Sequence, residues 1–318
     1  MRETLTDLAR RAGGLALTML VVSFLVFLTL ELNVEGVAVK VLGQFSTPDQ
    51  RHAWLSENGY LDPFAIRYLR WLADFVRGHW GTSTYYHEDI LKLILPRLGA
   101  SAILAGGALL VMIPMSLILG VAAGAKEGSA LDRSISLVSI VTTSIPEFAT
   151  AVFLSAVFVI GLGWLPGVST MAAGLSLREL ILPVSVLALA STGYIARMTR
   201  ASMAEVMAQP YIRMARLKGA SPARIILGHA LRNALITPVT VIMLQIPWIL
   251  SGVMVVEVFF AYRGFGTLLY QASLNADVYL VEACAMVSVL AVVVSQTIAD
   301  LIYVRLDPRL APGGGRHS

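Results

Sequence analysis

Six continuous apolar segments, each about as long as a membrane-crossing helix, dominate this sequence. A helix needs about 20 largely apolar residues to cross the hydrocarbon core of a bilayer. The chain is 57% hydrophobic and 14% charged, whereas soluble domains carry about 25% charged residues. The segments do not alternate between apolar and polar residues, so we predict an all-α integral membrane protein and not a β-barrel. The six segments are residues 13–32, 99–124, 134–162, 179–198, 236–259 and 280–303.

The Lys and Arg residues of the connecting loops predict how these six helices are oriented. Short loops on the cytoplasmic side of a membrane are enriched in Lys and Arg. One side carries Arg10, Arg11, Lys126, Arg133, the stretch 200–232, Arg305 and Arg309, and the short loops of the other side carry Arg178 and Arg263. Both termini are therefore predicted to be cytoplasmic. The loop at 33–98 carries seven Lys or Arg and is predicted to lie outside, because long loops cross largely regardless of charge.

This pattern divides the chain into four regions. Residues 1–32 form the N-terminal segment and the first membrane helix, and residues 33–98 form an extracytoplasmic loop. Residues 99–310 form the transmembrane core, which includes the cytoplasmic loop 200–235 between the fourth and fifth helices. The Gly-rich tail, 311–318, is predicted to be disordered.

The outer loop is predicted to contain short helices. Thr47 reads as an N-cap, followed by Pro48 at the first helical position and Gln50 as the second half of a capping box. A second helix would place one apolar face, at helical spacing, on Phe64, Tyr68, Trp71, Leu72 and Phe75. That face could pack on the spans, dock an extracytoplasmic partner or lie in the membrane interface.

The loop between the fourth and fifth spans is strongly basic and is predicted to be folded. Between Arg200 and Arg232 it contains six Lys or Arg and one acid. Gly219 is placed to end a short helix. One side of that helix is predicted to carry Met214, Leu217 and Ala220, together with Ile212 and Ala215. We interpret the loop as the attachment point of a cytoplasmic partner; the alternative is that its bases only fix topology.

The sequence lacks the motifs of a catalytic or metal-binding chain. It has no Gly-x-x-x-x-Gly-Lys-Ser/Thr loop, no Gly-x-Ser-x-Gly and no zincin motif after His87-Glu88. The five histidines match no standard metal spacing, and the single Cys284 excludes a disulfide framework. No aromatic-interleaved basic stretch suggests nucleic-acid binding. We therefore predict a non-catalytic chain without a metal site, whose energy source must be another chain.

Two acids inside or near the spans are candidates for a translocation path or gate. Glu147 follows Pro146 in the third segment, and Glu257 lies near the outer end of the fifth. A charge at the membrane centre costs about 2.5–3.5 kcal/mol on insertion scales, and such residues usually face a cavity or a partner. The alternative is an interfacial carboxylate, or one paired with a base such as Arg263. Elsewhere, the spacing of Gly120 and Gly124 allows close helix contact.

These motifs resemble one family along nearly the whole chain: the permease subunits of bacterial ABC importers of the dipeptide/oligopeptide/nickel class. The most specific match is to that family's EAA loop, at residues 211–219 and 229–235. The stretch Ser144-Ile145-Pro146-Glu147-Phe148 is similar to its third-span signature. Leu306-Asp307-Pro308-Arg309 resembles the ending of the first of its two paired permeases, and the stretch 59–83 is similar to its outer segment.

The resemblance implies a type I importer permease fold with six membrane helices. It also implies a pseudo-twofold pair with a second permease, two cytoplasmic ATPase subunits that bind ATP and Mg, and an extracytoplasmic substrate-binding protein. The chain itself would bind no cofactor. In such permeases the EAA loop forms a coupling helix on the ATPase. In this sequence, the resemblance implies that the residues coupling to the ATPase are Tyr211, Arg213, Ala215, Arg216, Lys218, Gly219, His229, Arg232 and Asn233. The residues implied for the translocation path or gate are Pro146, Glu147, Phe148 and Glu257.

Three departures from the family pattern lie on the outer side and leave the cargo open. Asn33-Val34-Glu35-Gly36 and Arg263-Gly264-Phe265-Gly266 replace the usual proline-containing motifs, and His79 replaces an aspartate. The cargo could be a di- or oligopeptide, a nickel chelate or another small solute. A stand-alone secondary transporter would instead predict ion-coupling acids deep in the spans, and a membrane-embedded enzyme would need a nucleophile or metal constellation.

Overall fold

The computed structural model describes residues 2–31, 34–172 and 174–306, and this part of the chain is almost entirely helical. Asn33, the end of the Leu306–Arg309 motif and the tail 311–318 lie outside the described residues. The helices are α1 (Arg2–Glu31), α2 (Val34–Leu42), α3 (Pro48–Glu57), α4 (Phe64–Val76), α5 (Ile90–Ala125), α6 (Ala130–Ser144), α7 (Glu147–Ser155), α8 (Leu177–Met207), α9 (Pro210–Leu217), α10 (Pro222–Ile225), α11 (Leu231–Ala234), α12 (Ile236–Phe259), α13 (Phe265–Leu274) and α14 (Val278–Leu306). Two π-helical segments, Ala156–Gly161 and Ile226–Ala230, continue α7 and α10.

Three of the described helices are individually long and apolar enough to cross a membrane, and the number rises to six if bent helix pairs count as single spans. The three are α5, α8 and residues 278–298 of α14. The sharpest bend separates α6 from α7, which differ in direction by 106°. The third apolar segment, 134–162, is thus a broken helix.

The helices form two compact units, whose boundaries fall within α5 after residue 100 and within α14 after residue 294. The first unit contains residues 1–100 and 264–294, and the second contains residues 101–263 and the chain from 295 onward.

In the first unit, α3 begins at the cap that the sequence predicts and α4 carries the predicted aromatic positions, whereas α2 was not predicted. The Thr47 hydroxyl accepts a hydrogen bond from the Gln50 backbone N–H (3.3 Å), and the Gln50 side chain accepts one from the Thr47 N–H (2.9 Å). This is the predicted capping box. Gly59 follows α3 with a φ of +72°, and Gly78 follows α4 with a φ of +83°.

The aromatic face of α4 packs on α1, which is the first of the three alternatives left open by the sequence. The Phe27 ring lies 5.4 Å from the rings of Phe64 and Trp71, centroid to centroid. The Tyr68 hydroxyl shares a 2.8 Å hydrogen bond with Ser23. The loop helix is therefore anchored by aromatic ring contacts and by hydrogen bonds of the Tyr68 hydroxyl.

Asp277 fastens a second part of the outer loop to the start of α14. One carboxylate oxygen accepts hydrogen bonds from the Ser83 hydroxyl (2.5 Å) and the Tyr85 backbone N–H (3.2 Å). The other oxygen accepts from the Leu280 N–H (3.2 Å) in the first turn of the helix. Asp277 is fully buried, so these contacts satisfy a carboxylate that would otherwise be costly to bury.

In the second unit, glycines let three helices approach closely. A Cβ added at Gly124 of α5 would lie 2.5 Å from the Arg200 carbonyl oxygen of α8, and one added at Gly120 would overlap Thr199. A Cβ added at Gly193 of α8 would lie 2.5 Å from the Ser139 carbonyl oxygen of α6. The predicted close contact at Gly120 and Gly124 is confirmed, and it joins α5 to the most buried of the three continuous spans.

Candidate functional site

The basic loop contains a short helix that is fixed at both ends. Pro210 occupies the first turn of α9, where its missing N–H removes no intrahelical bond. After Leu217 the chain reverses at Gly219, which has a φ of +77°. The Gly219 N–H donates to the Arg216 carbonyl (3.0 Å) and the Ala220 N–H to the Ala215 carbonyl (3.1 Å). This pair of bonds is a Schellman motif, so Gly219 ends the helix as predicted.

One side of α9 is anchored in a small apolar core. Ile212 is fully buried and packs in a cluster with Met203 of α8, Ile225, Ala230 and Ala234. Ala215 and Ala220 are partly buried against the same cluster. The helix and the returning chain therefore pack as one folded element on the end of α8.

The prediction that Met214 and Leu217 share this apolar side is wrong. Their exposed fractions are 54% and 77%. At 3.6 residues per turn, Met214 and Leu217 lie about 200° and about 140° around the helix from Ile212. Burial of Ile212 therefore turns both side chains outward.

The exposed side of α9, which we call the outer face, combines apolar and basic side chains. Tyr211 is 41% exposed and lies there with Met214 and Leu217. Three basic residues, Arg213, Arg216 and Lys218, are also exposed. Arg213 and Lys218 lie on or next to the outer face, and Arg216 lies about 40° around the helix from Ile212. Contiguous exposed apolar side chains rimmed by charge mark interaction sites, and the positive charge suits an acidic partner surface.

The return segment places the remaining coupling candidates beside α9. The Asn233 side-chain amide donates to the Tyr211 hydroxyl (3.0 Å), which brings two of the candidates into contact. Arg232 and His229 are exposed, the latter in the π-helical segment. The Ser202 hydroxyl of α8 donates to the Ala234 carbonyl (2.9 Å), so the segment is tied back to the same helix that anchors α9.

The path and gate candidates occupy two different environments. Pro146 caps the start of α7 at the 106° break, Glu147 occupies its first turn, and Phe148 is 58% exposed. The Glu147 Oε1 atom is buried and has no hydrogen-bond partner among the described residues. Glu257 is fully buried in α12 and accepts a hydrogen bond from the Ser101 hydroxyl of α5. The side chain at the break is thus open to a new partner, whereas Glu257 already has one.

An ion pair that sequence reasoning missed lies close to the basic loop. Arg200, near the end of α8, donates from Nε to one Asp132 oxygen (2.9 Å) and from Nη2 to the other (2.8 Å). Asp132 lies in the first turn of α6, and its side chain is 4% exposed. The sequence signal was the Gly128-Ser129 turn followed by an acid, which reads only as an ordinary helix start. Nothing in the pattern pairs it with a base 68 residues away.

Residues 116–312 match the family model of the binding-protein-dependent transport system inner membrane component. The chain belongs to this family. With its apolar helices, this inner-membrane component is a multi-pass protein of the bacterial inner membrane. Its family description ties it to a transport system that depends on a binding protein, which confirms the resemblance drawn from the motifs.

This inner-membrane component is similar to transport permeases over most of their lengths. It is 34% identical over 267 residues to the oligopeptide transport system permease protein AppB of Bacillus subtilis, covering 82% of this chain and 84% of that one. It is 32% identical to the di/tripeptide transport system permease protein DppB of Pseudomonas aeruginosa (96% and 98% covered). It is 33% identical to the metal-staphylopine import system permease protein CntB of Staphylococcus aureus (93% and 94% covered).

Proposed function

We propose that this chain is the membrane permease subunit of an ATP-driven ABC importer that takes up di- or oligopeptides delivered by an extracytoplasmic binding protein. The family match and the similarity to AppB and DppB support this function. The observation that carries the coupling role is the outer face of α9, an exposed apolar and basic surface. The opposite side of this helix is fixed because Ile212 packs in the apolar core.

The proposed arrangement has six membrane helices in a type I permease fold, with both termini and α9 in the cytoplasm. The distribution of Lys and Arg among the short loops supports this orientation. The loop 33–98 then lies outside, where α3 and α4 are available to the binding protein. The division into a core of 99–310 and a coupling loop of 200–235 stays a prediction.

We further propose the composition of the complex. The chain would pair with a second permease, and two cytoplasmic ATPases would bind ATP and Mg, because the chain has no P-loop of its own. The chain itself would bind no cofactor or metal and would catalyse no reaction. When ATP closes the ATPase pair, a groove on each ATPase moves, and a rigid α9 seated in that groove would carry the motion to α8. Arg213, Arg216 and Lys218 would pair with acids of the ATPase.

The break between α6 and α7 is the proposed gate of the translocation path. Transporter binding sites and gates are commonly formed where a membrane helix is interrupted. Glu147 supports this assignment, because a half-buried carboxylate at such a break is costly unless a polar partner or water reaches it. Glu257 would face the path only in a state in which its hydrogen bond with Ser101 has opened.

A second candidate cargo is a metal chelate. The similarity to CntB, named for metal-staphylopine import, favours it specifically. Uptake into proteoliposomes containing the complete transporter and its binding protein would separate the two, with labelled trialanine compared against a labelled nickel–histidine chelate. Trialanine uptake that depends on ATP supports the peptide assignment, and uptake of the chelate alone would replace it.

The coupling role is tested by placing a negative charge on the outer face. We expect Leu217→Asp to reduce co-purification of the ATPases with the tagged chain by about tenfold or more, since buried apolar anchors at interfaces contribute about 2 kcal/mol or more. Phe45→Asp is the matched control, because Phe45 is fully exposed in the outer loop. Undiminished ATPase recovery with Leu217→Asp would exclude the outer face as the docking site.

A further inference from the structure

Asp132 is held in one geometry at the start of α6. Besides the two bonds from Arg200, its Oδ2 atom accepts a hydrogen bond from the Gly128 backbone N–H (2.9 Å). The Ser136 hydroxyl donates to Oδ1 (3.3 Å). A two-pronged guanidinium–carboxylate contact fixes orientation as well as distance. The turn between α5 and α6 and the first turn of α6 are therefore fastened to one point on α8.

That point on α8 is next to the anchor of α9. Met203 lies one turn beyond Arg200 and packs against Ile212, and both side chains are fully buried. Gly124 of α5 also packs here, against the carbonyl of Arg200 and the side chain of Met203. A displacement of α9 therefore reaches Arg200 through side chains in direct contact.

From Asp132, α6 leads to the broken span. The helix has 15 residues and is about 22 Å long at 1.5 Å per residue. The helix ends at Ser144, two residues before Pro146, and the chain then turns by 106° into α7. Between these ends, Gly193 of α8 meets the backbone of Ser139. The ion pair and this glycine contact therefore hold α6 and α8 together at two positions along the length of α6.

A purely stabilising role does not account well for this pair. Ion pairs generally add little net stability, whether they are exposed or buried, and this one is intermediate, with Arg200 31% exposed and Asp132 4% exposed. What it supplies is a defined geometry between two elements, and that is what a mechanical connection between a docking helix and a gate requires. Tightly packed elements with fixed contacts move as rigid bodies and do not deform continuously.

We propose that Asp132 and Arg200 are positioning residues that fasten α6 to the cytoplasmic end of α8, so that movement of α9 is transmitted to the break at Pro146. This inference rests on the proposed coupling role of α9. Without the pair, the ATPases would still dock and move α9, but α7 would no longer follow.

The test places one reporter at each end of this connection in the complete transporter, reconstituted in lipid nanodiscs. Cys284 is the single cysteine of the chain, so Cys284→Ala gives a background for labelling. An environment-sensitive fluorophore is attached at Gln209→Cys, an exposed position at the start of α9, or at Phe153→Cys on α7, where the native side chain is 66% exposed. The signal is the emission change on adding Mg-ATP with vanadate.

In the parent chain both reporters should respond. With Asp132→Asn we expect the Gln209 reporter to keep its response and the Phe153 reporter to lose it by about fivefold or more, a size typical of coupling between sites. Arg200→Lys keeps the positive charge but cannot make both hydrogen bonds of the guanidinium group to Asp132, so we expect an intermediate loss of the Phe153 response. The double variant Asp132→Asn/Arg200→Gln should lose no more than Asp132→Asn alone, because the two side chains act as one contact. The second acid beside Arg200, Glu127, is farther away (3.4 Å) and 59% exposed, so its ion pair contributes little.

Asp62→Asn is the matched control, because it breaks another Arg–Asp pair with the same 2.8 Å distance, between Arg70 and Asp62 in the outer loop. It should change neither reporter. A normal Phe153 response in Asp132→Asn would overturn the inference, as would additive losses in the double variant or equal loss at both reporters. A parent chain whose Gln209 reporter ignores ATP would instead refute the coupling role of α9 itself.

Discussion

Replacing Gly124 by alanine should destabilise the second unit, because the added methyl group would overlap atoms of α8. Its Cβ would lie 2.5 Å from the Arg200 carbonyl oxygen and 2.7 Å from the Met203 Cβ, and neither is the free end of a flexible side chain. Overpacking of this kind costs about 1–3 kcal/mol. Gly106→Ala in the same helix is the matched control, since an added Cβ there meets nothing within 4 Å.

Both variants gain the same helix propensity, so their difference isolates the packing cost. Unfolding of the detergent-solubilised chain can be followed by loss of the helical circular dichroism signal. A domain of 150–250 residues shifts its Tm by about 2–4 °C per kcal/mol, so Gly124→Ala should melt about 2–12 °C below Gly106→Ala. Equal melting temperatures would show that α5 and α8 are not in close contact at Gly124.

Three further predictions concern the turn after α9, the cap of α14 and a buried phenol. Asn and Asp both tolerate the left-handed backbone conformation of Gly219 better than other side chains do, so Gly219→Asn is the control for Gly219→Asp. We expect lower ATPase recovery with Asp than with Asn in pull-downs, and the difference measures the effect of the added charge. Asp277→Ala should cost about 1–3 kcal/mol in thermal unfolding, because it strands the Ser83 hydroxyl and a buried N–H, whereas exposed Asp49→Ala should cost less. Burial, with a smaller effect of Glu257, raises the pKa of Tyr262 to about 12. Its stabilising contribution is therefore complete below about pH 10 and lost as the pH rises toward 12, so unfolding of Tyr262→Phe should depend less on pH in that range.

The helices themselves could be predicted because length and continuous apolarity leave few alternatives in a membrane. Where a helix breaks could not be predicted in the same way. Pro183 lies inside the continuous helix α8, yet Pro146 accompanies a 106° break. Ile145 adopts an extended backbone (φ −92°, ψ 126°), as residues before proline prefer. The sequence signal is the same at both prolines, so the packing around each one decides the outcome.

The end of α9 was predictable, whereas its buried side was not. Gly219 predicts the turn because its backbone conformation is nearly reserved for glycine. In a helix of only eight residues, the apolar pattern did not single out Ile212 as the inward side chain. Ile212 is the inward side chain because Met203 of α8 and Ala230 and Ala234 of the return segment meet it there, and the spacing of apolar residues within α9 carries no record of those neighbouring elements.

The two sides of α9 have different physical roles, and the division follows from its length. A helix this short is not stable alone in water, so it can transmit force only if one side is fixed to something larger. Ile212 supplies that attachment, and the Schellman turn at Gly219 prevents the C-terminal end from fraying. The apolar side chains left outside, Met214 and Leu217, are then a cost to the isolated chain, and one that a docked partner would remove. The wrongly predicted buried side is for this reason the strongest structural argument for a partner: had Met214 and Leu217 been inside, α9 would have had much less apolar surface to offer one.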